Sequence, residues 1–594
     1  MKNFILLSFV ISLLLSSSAS AIEINDGPKA PLYWSAYEYC YTVSNNGMLG
    51  YIPEDVWESN INWVEQNLKS YGYDMVCIDG WGDDSNFNEN GYRTKHSTHW
   101  EHDYAWWANF LKNKGLTLGI YNNPLWVNRN AASHGVKIKG TDIPLENIIN
   151  REEPAKWFSW VQVEKEGAEE YVKGYIQYYA DMGVKFLRVD FLSWFEDGVD
   201  RNADYSVPFD RPKEYYQTVL KWMKEACDVN GMTLSLVMPH LYNHAQNELN
   251  YAGGSMIRIN DDVTDGGWDR FSDVARGMYH DIWPMYHNTF DGFIHWSDIA
   301  GFGKNKMILD GDFTRINTFR NNEEKKTAIS LQLMAGAPIA ITDQHNTIGD
   351  DLWIYQNKEL LELNVNRFVG RPLSRDVSNP NSQIWKGQMP NGDWIVGLFN
   401  RENTEQVRSI NFQQELGVIQ GFVRDLWQHS DLEEMTSISE TIVPHGCKIY
   451  KITANADQLM IVGDAVWSEW NLNNACVMLS DNNTVFTYTG WFEKDKEFKF
   501  ITQTEWGKDE YKNGGETYLD NIGTLRLGGN DDKFKLPESG NYKITCSLAQ
   551  LTITAEKINL QDKPILSQCV ISGWRCYFCK LDAIECNISK ARYK

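Results

Sequence analysis

From about residue 30 to residue 345, short unbroken runs of apolar and β-branched residues alternate with longer stretches whose apolar positions recur every three or four residues. Unbroken runs are the pattern of strands buried on both faces, and the longer spacing is that of helices with one apolar stripe. The alternation therefore predicts β/α units around a parallel sheet, an α/β fold. Strands are expected at Leu32–Tyr39, Asp74–Asp79, Leu116–Asn122, Val184–Phe191, Thr233–Met238, Ser255–Asp262, Gly292–Ser297 and Ala337–Thr342. Helices are expected at Pro53–Tyr71, Tyr104–Lys114, Glu169–Met182, Lys213–Val229 and Asn322–Ala335. Eight strands close most economically into a (β/α)8 TIM barrel, here given residues 22–368. The connection from Asn123 to Ala168 is longer than an ordinary barrel loop and predicts an insertion over the catalytic face.

After Arg371-Pro372 the pattern changes to short strands of period two with no helix signals. Residues 369–455 are expected to form an antiparallel β-sandwich domain, and residues 456–558 a second, small β-sandwich module. The tail, 559–594, matches no domain pattern. Its Cys569, Cys576, Cys579 and Cys586 admit a zinc-site reading, but one close pair in a secreted context favours an extension without a metal.

A chain of 594 residues exceeds one ordinary core. Its formal charge of −23 argues against nucleic acid or an anionic membrane as partner, because both are bound through basic surfaces. The 24 tryptophans offer flat apolar faces that suit sugar rings, although large cores claim part of them. Met1-Lys2-Asn3, the apolar run Phe4 to Leu15 and the small residues Ala19-Ser20-Ala21 have the order of a secretory signal over residues 1–21. A periplasmic or extracellular location is the expectation, with no integral membrane segment in the mature chain. Cys40, Cys77, Cys227, Cys447, Cys476 and Cys546 are scattered and read as single buried thiols.

Chemistry enters through the acids that close the apolar runs. Asp79, Asp190 and Asp262 each end an expected strand, and the carboxyl ends of barrel strands are where catalysis is done. A lone acid there is most often a cap or turn residue; three in one barrel weaken that reading. Two carboxylates, one attacking the anomeric carbon and one donating a proton to the leaving oxygen, suffice for retaining glycoside hydrolysis, so no metal or organic cofactor is expected. Arg188 and Arg258 precede Asp190 and Asp262 by two and four positions and share a strand face with them. Arg188 is expected to keep Asp190 ionised. Arg258, which would oppose a protonated acid, is expected to hold a sugar hydroxyl rather than pair closely with Asp262.

The ordered set Ile78-Asp79-Gly80-Trp81, Gly115–Tyr121, Gly183–Asp190, Arg258–Asp262 and Ala335-Gly336-Ala337-Pro338 resembles the α-galactosidases of glycoside hydrolase family 27, across roughly residues 30–455. The resemblance implies Asp190 as nucleophile, Asp262 as acid/base, and Trp34, Asp79, Trp81, Arg188 and Arg258 as substrate contacts. Three departures bear on sugar identity. Gly80 stands where the family has a second acid, Arg188 replaces a lysine, and the Asn-Asp-Pro-Asp-Met segment near strand seven gives way to Lys304-Asn305-Lys306-Met307. Residues 459–558 resemble the β-sandwich repeats of Sus-type starch-binding outer-membrane proteins, through Ile461–Asp464, spaced tryptophans and Glu497–Phe500, with Trp467, Trp470 and Trp491 as stacking candidates. The leading expectation is a secreted, retaining exo-α-glycosidase acting on an oligo- or polysaccharide, with α-galactosidase the first name. An isomaltodextranase-like enzyme of α-glucans is the alternative, and a noncatalytic glycan-binding protein the reading from another class.

Overall fold

Runs such as Met75-Val76-Cys77-Ile78, every side chain buried, form the staves of a closed barrel in the computed structural model. It describes residues 27–39, 51–79, 82–83, 86–152, 158–197, 211–263, 266–272, 286–480, 482–507 and 509–558. The expected leader, Cys40, Gly80, Trp81 and the tail with its four cysteines lie outside the described residues. The chain divides into two compact units, residues 25–411 with 422–453 and residues 412–421 with 454 onward.

In the first unit the parallel strands are β1 (Leu32–Ser35), β2 (Met75–Ile78), β3 (Thr117–Tyr121), β4 (Phe186–Val189), β5 (Thr233–Leu236), β6 (Met256–Arg258), β7 and β8 (Ile339–Ile341). The seventh stave is in two pieces, Ile308–Asp310 against β6 and Phe313–Thr314 against β8. With β8 also paired to β1, Trp34 opposite Ile341, the sheet closes on itself through the break at Gly311-Asp312.

Period-two alternation sorts the strand side chains into two layers. Trp34, Val76, Leu118, Leu187, Leu234, Ile257 and Ile341 pack outward in one large core with the helices. Tyr33, Met75, Cys77, Phe186, Met256, Ile308 and Ala340 meet inside the barrel. Gly119 completes that inner layer because a Cβ there would come within 3.0 Å of the Phe186 ring and 3.2 Å of the Cys77 Cβ. Gly119→Val should therefore overfill the lumen and cost about 1–3 kcal/mol.

The outer layer includes α1 (Glu54–Asn67), α2 (Tyr104–Asn113), α3 (Ala168–Asp181), α4 (Lys213–Val229), α5 (Thr289–Trp296) and α6 (Asn322–Met334). Asp103 and Asn321 cap α2 and α6 by accepting from Trp106 N and Glu324 N. One sequence expectation is overturned here: Gly292–Ser297 is not a strand but lies mostly in α5. A short, mostly apolar run serves a buried helix as well as a buried strand, and Asn288, accepting from Asp291 N, is the cap that decides it. The seventh strand comes instead from Ile308–Thr314. The expected strands are also shorter in the fold; β1 stops at Ser35 and β4 at Val189.

The long Asn123–Ala168 connection contributes an antiparallel pair, Trp126–Asn128 with Phe158–Trp160. Following the barrel, Ile384–Gln388, Trp394–Phe399 and Cys447–Asn455 pair antiparallel. Arg401 fastens this sheet to the barrel, its buried guanidinium paired with Asp291 and its Nε donating to Ser272 Oγ at 2.9 Å. Trp427 Nε1 adds a 2.9 Å bond to Ser330 of α6.

The second unit is an antiparallel sheet of eight short strands between Met460 and Ile558, over a core that includes Phe492, Phe498, Phe500 and Phe534. Cys77, Cys227, Cys447, Cys476 and Cys546 are free and buried. No helix among the described residues is long and apolar enough to cross a membrane.

Candidate active site

The strand parity that fills the lower lumen with Phe186 and Met256 brings Arg188 and Arg258, two positions further on, into its upper layer, and Asp190 and Asp262 beyond them. Asp190 is half-buried. Its Oδ2 accepts from Tyr121 Oη at 2.8 Å and its Oδ1 from Phe191 N at 2.6 Å. Phe191 takes a left-handed φ of 63°, a conformation costly for an aromatic residue, to aim that N–H back at the carboxylate. Asn123, at the start of the long insertion, donates from Nδ2 to Asp190 O at 2.6 Å, and Trp126 of the same insertion stacks on Phe191. The insertion thus buttresses the segment that carries Asp190.

Asp262 is 42% exposed at its side chain and is held by Arg258, whose Nη2 lies 2.8 Å from its Oδ1. The expectation that Arg258 avoids Asp262 is corrected: four residues along an extended chain return the guanidinium to its own acid. Arg188 likewise finds partners other than the expected one. Its Nη1 is 2.8 Å from Asp310, its Nη2 3.2 Å from Asp312 and its Nε 3.5 Å from Asp79. Asp79 is therefore buried behind the site as a counter-ion. Desolvation opposes the charge of Arg188, but the carboxylates of Asp310, Asp79 and Asp312 keep it firmly protonated.

Burial raises the Asp190 carboxyl above the usual range, and the nearby charge of Asp262 raises it further, against the hydrogen bonds from Tyr121 and Phe191 and the pull of Arg188. Arg188 thus lowers Asp190 as expected in sign but does not outweigh desolvation. The influence of Asp262 on Asp190 places the two carboxyls at the same mouth of the barrel.

Trp34 does not join this site. It is fully buried in the helix-facing layer, its ring 5.7 Å from that of Trp57 and its Nε1 donating to Asp343 O. The expectation of a sugar contact there is corrected, because parity turns Tyr33 and Ser35, not Trp34, toward the lumen. Asp310 and Asp312 were missed in the sequence. Met307-Ile308-Leu309 followed by an acid repeats the pattern that marked Asp190, and the misplaced seventh strand hid it. The replacement for the Asn-Asp-Pro-Asp-Met segment is placed a few residues later than Lys304–Met307, at Asp310-Gly311-Asp312 in the seventh stave. Gly311 between the two acids is required by close approach: a Cβ would lie 2.7 Å from Phe293 and Thr289 of α5.

In the second unit, Trp470 and Trp506 face one another with ring centroids 6.4 Å apart and planes at 45°. Lys499 Nζ lies 4.8 Å from the Trp506 centroid and Lys533 Nζ 5.6 Å from that of Trp470. Lys499 also pairs with Glu510 at 2.8 Å and Asp531 at 2.9 Å, and holds Asp531 down at about 2. Trp467 and Trp491 are exposed, as stacking candidates must be; Trp506, 46% exposed, was not anticipated.

Residues 379–452 match the α-galactosidase C-terminal β-sandwich domain, and residues 458–555 match the SusF/SusE starch-specific carbohydrate-binding modules. Isomalto-dextranase of Arthrobacter globiformis is 40% identical over 445 residues, 71% of this chain and 67% of the relative. An α-galactosidase of Oryza sativa subsp. japonica is 26% identical over 192 residues, 32% of this chain and 44% of its own. The solved structure of Arthrobacter globiformis T6 isomalto-dextranase complexed with panose is 31% identical, with a TM-score of 0.67 over 90% of this chain and 94% of that one. A family 27 β-L-arabinopyranosidase from Geobacillus stearothermophilus shares the fold, with a TM-score of 0.55 at 19% identity over 71% of this chain and 96% of its own.

Proposed function

The chain belongs to glycoside hydrolase family 27, and from that premise we propose that it is a retaining exo-α-glycosidase acting on an α-glucan of the dextran type. The observation that carries the chemistry is the pair of carboxyls beyond the ends of β4 and β6, Asp190 held by Tyr121 Oη and Phe191 N and Asp262 held by Arg258 Nη2. Asp190, oriented at both oxygens by Tyr121 and Phe191, is the nucleophile; Asp262 is the acid/base. With Asp262 protonated, its repulsion of Asp190 is removed, so the proton distribution that starts double displacement also frees the nucleophile to ionise. Asp190 attacks the anomeric carbon as Asp262 gives its proton to the leaving oxygen. Water then opens the glycosyl-enzyme with Asp262 as base.

The choice of substrate is supported by the 40% identity to an isomalto-dextranase, against 26% over a shorter stretch with the rice α-galactosidase. The α-glucan reading thus takes precedence over the α-galactosidase first expected. In the second unit, the Trp470 and Trp506 rings with their flanking lysines form a platform for the same polymer, a reading in line with the SusF/SusE match. Export to the periplasm or beyond, expected from residues 1–21, would bring the enzyme to such a substrate.

The test is a substrate panel. Dextran and panose should be turned over with kcat/KM at least about 100-fold above nitrophenyl α-galactoside, the discrimination a site with matched hydroxyl contacts achieves. The reverse order would return the α-galactosidase name, and an inverted first product by NMR would overturn double displacement.

A further inference from the structure

The broken seventh stave leaves Asp312 in an unusual position. It is 3% exposed, has a φ of 72°, and receives hydrogen bonds at its carboxylate from three directions. Its Oδ1 is 3.2 Å from Arg188 Nη2, and its Oδ2 lies 2.8 Å from Arg258 Nη2 and 2.9 Å from Val263 N. Its own N–H is tied to Asp310 Oδ1 at 2.9 Å, which fixes the left-handed turn. A non-glycine residue held in that region by such contacts marks a functional constraint.

The constraint has a chemical counterpart. An acid that must surrender a proton is poorly served by a guanidinium 2.8 Å away, because the pair favours the carboxylate. The nitrogen that contacts Asp262, Nη2 of Arg258, is the same one that contacts Asp312. We propose that Asp312 is a positioning residue which shares Arg258 with Asp262, drawing that cation's charge away so that Asp262 can keep its proton until the leaving oxygen takes it. The proposal rests on the reading of Asp262 as acid/base.

The charged groups around the pair are few. Asp312 faces Arg258 and Asp262 from β6 and the segment after it, Arg188 from β4, and Asp310 from β7. Asp262 faces Arg258, Asp312 and, across the site, Asp190. Burial lifts Asp312 to about 6 even with two arginines beside it, so it is an anion through the neutral range and competes for Arg258 there. Removing its charge leaves Arg258 with one fewer competitor, and the proton on Asp262 is then lost at lower pH.

The experiment is the pH dependence of kcat/KM for wild type, Asp312→Asn and Asp312→Glu. Two substrates are used: dextran, and the dinitrophenyl glycoside of the sugar that wild type releases from dextran. Asparagine is isosteric and still accepts from Val263 N–H; glutamate keeps the charge should the asparagine variant fold poorly. The alkaline limb on dextran should move down by about one pH unit in Asp312→Asn, the scale of a neighbouring charge, and stay in place in Asp312→Glu. The activated glycoside, whose leaving group needs no proton, should show no such movement. Equal loss on both substrates with an unmoved limb would overturn the proposal and leave Asp312 as scaffold. Asp262→Ala separates the two readings: if it abolishes both substrates alike, Asp262 is not the acid and both fall. If it spares the activated glycoside while the Asp312→Asn limb stays put, only the present proposal falls.

Discussion

The barrel mouth and the Trp470–Trp506 platform contain the same kinds of residue, cations beside carboxylates and aromatic rings, and differ in which of them they leave open to water. In the barrel the charges are paired and, apart from Asp262, buried: Arg188 among Asp79, Asp310 and Asp312, and Arg258 between Asp262 and Asp312. Desolvation of the carboxyls themselves is what raises Asp190 and Asp312, against the arginines beside them. In the second unit the rings are partly open to water, while Lys499 is buried against Glu510 beneath the Trp506 face and Lys533 lies over that of Trp470. Such a surface can stack against sugar and donate hydrogen bonds; its sheet is antiparallel, so among the described residues its carboxyls do not converge from the ends of parallel strands as Asp190 and Asp262 do. What each region leaves in reach of water differs: a carboxyl at the barrel mouth, aromatic faces on the second unit.

The sharpest way to break that division is to remove the proposed nucleophile. Asp190→Ala should lower kcat on dextran by about 10⁴-fold or more, as removal of a covalent nucleophile does. Azide should restore part of the rate with a product of inverted configuration, and residual retaining activity would reassign the nucleophile. Next in size is Asp262→Ala, expected to cost about 10²- to 10⁴-fold on dextran and much less on a dinitrophenyl glycoside.

Smaller effects should come from the platform. Trp506→Ala, or a chain ending at Ala454, should weaken apparent affinity for polymeric α-glucan about tenfold and leave kcat/KM on a small soluble glycoside unchanged. A tethered second site raises local concentration only for ligands that reach both. Equal loss on both substrates would assign the second unit to folding, and the division between regions would fail.

The smallest effect tests the burial itself. Because the folded protein raises the Asp190 carboxyl, its contribution to stability is fully present below the unfolded value of about 3.9 and is lost as pH rises through the higher folded value. Asp190→Asn removes an ionised group that the fold resists, so its melting temperature should exceed that of wild type at pH 7, and the gain should vanish toward pH 3. A lower melting temperature at pH 7 would show that the hydrogen bonds from Tyr121 and Phe191 outweigh desolvation.

How much of this was legible in the sequence differs between residues of the same kind. Asp190 could be read because a strand buried on both faces is a continuous apolar run and the acid closing it stands out. Asp310 follows an equally good run, Met307-Ile308-Leu309, but Gly292–Ser297 competed for the place of the seventh strand, and only the Asn288 cap distinguishes helix from strand there. Trp34 shows the limit of a residue type. It has the chemistry of a sugar platform, yet one step of strand parity commits it to Trp57 and the helical layer. Trp506, unremarked in its polar surroundings, is half open beside Trp470.

By itself, then, the sequence determined the alternation that builds the barrel, the β-rich segments that follow it, and the positions of Asp190 and Asp262, because these depend on local periodicity and on residues at the ends of runs. Only the tertiary structure decided which groups Arg188 and Arg258 neutralise, that the seventh stave is broken at Gly311-Asp312, and which tryptophans face outward. Ion pairs between strands far apart in the chain depend on how the barrel closes. A guanidinium reaches several angstroms beyond its own strand, and period two specifies the face it leaves from but not the carboxylate it finds.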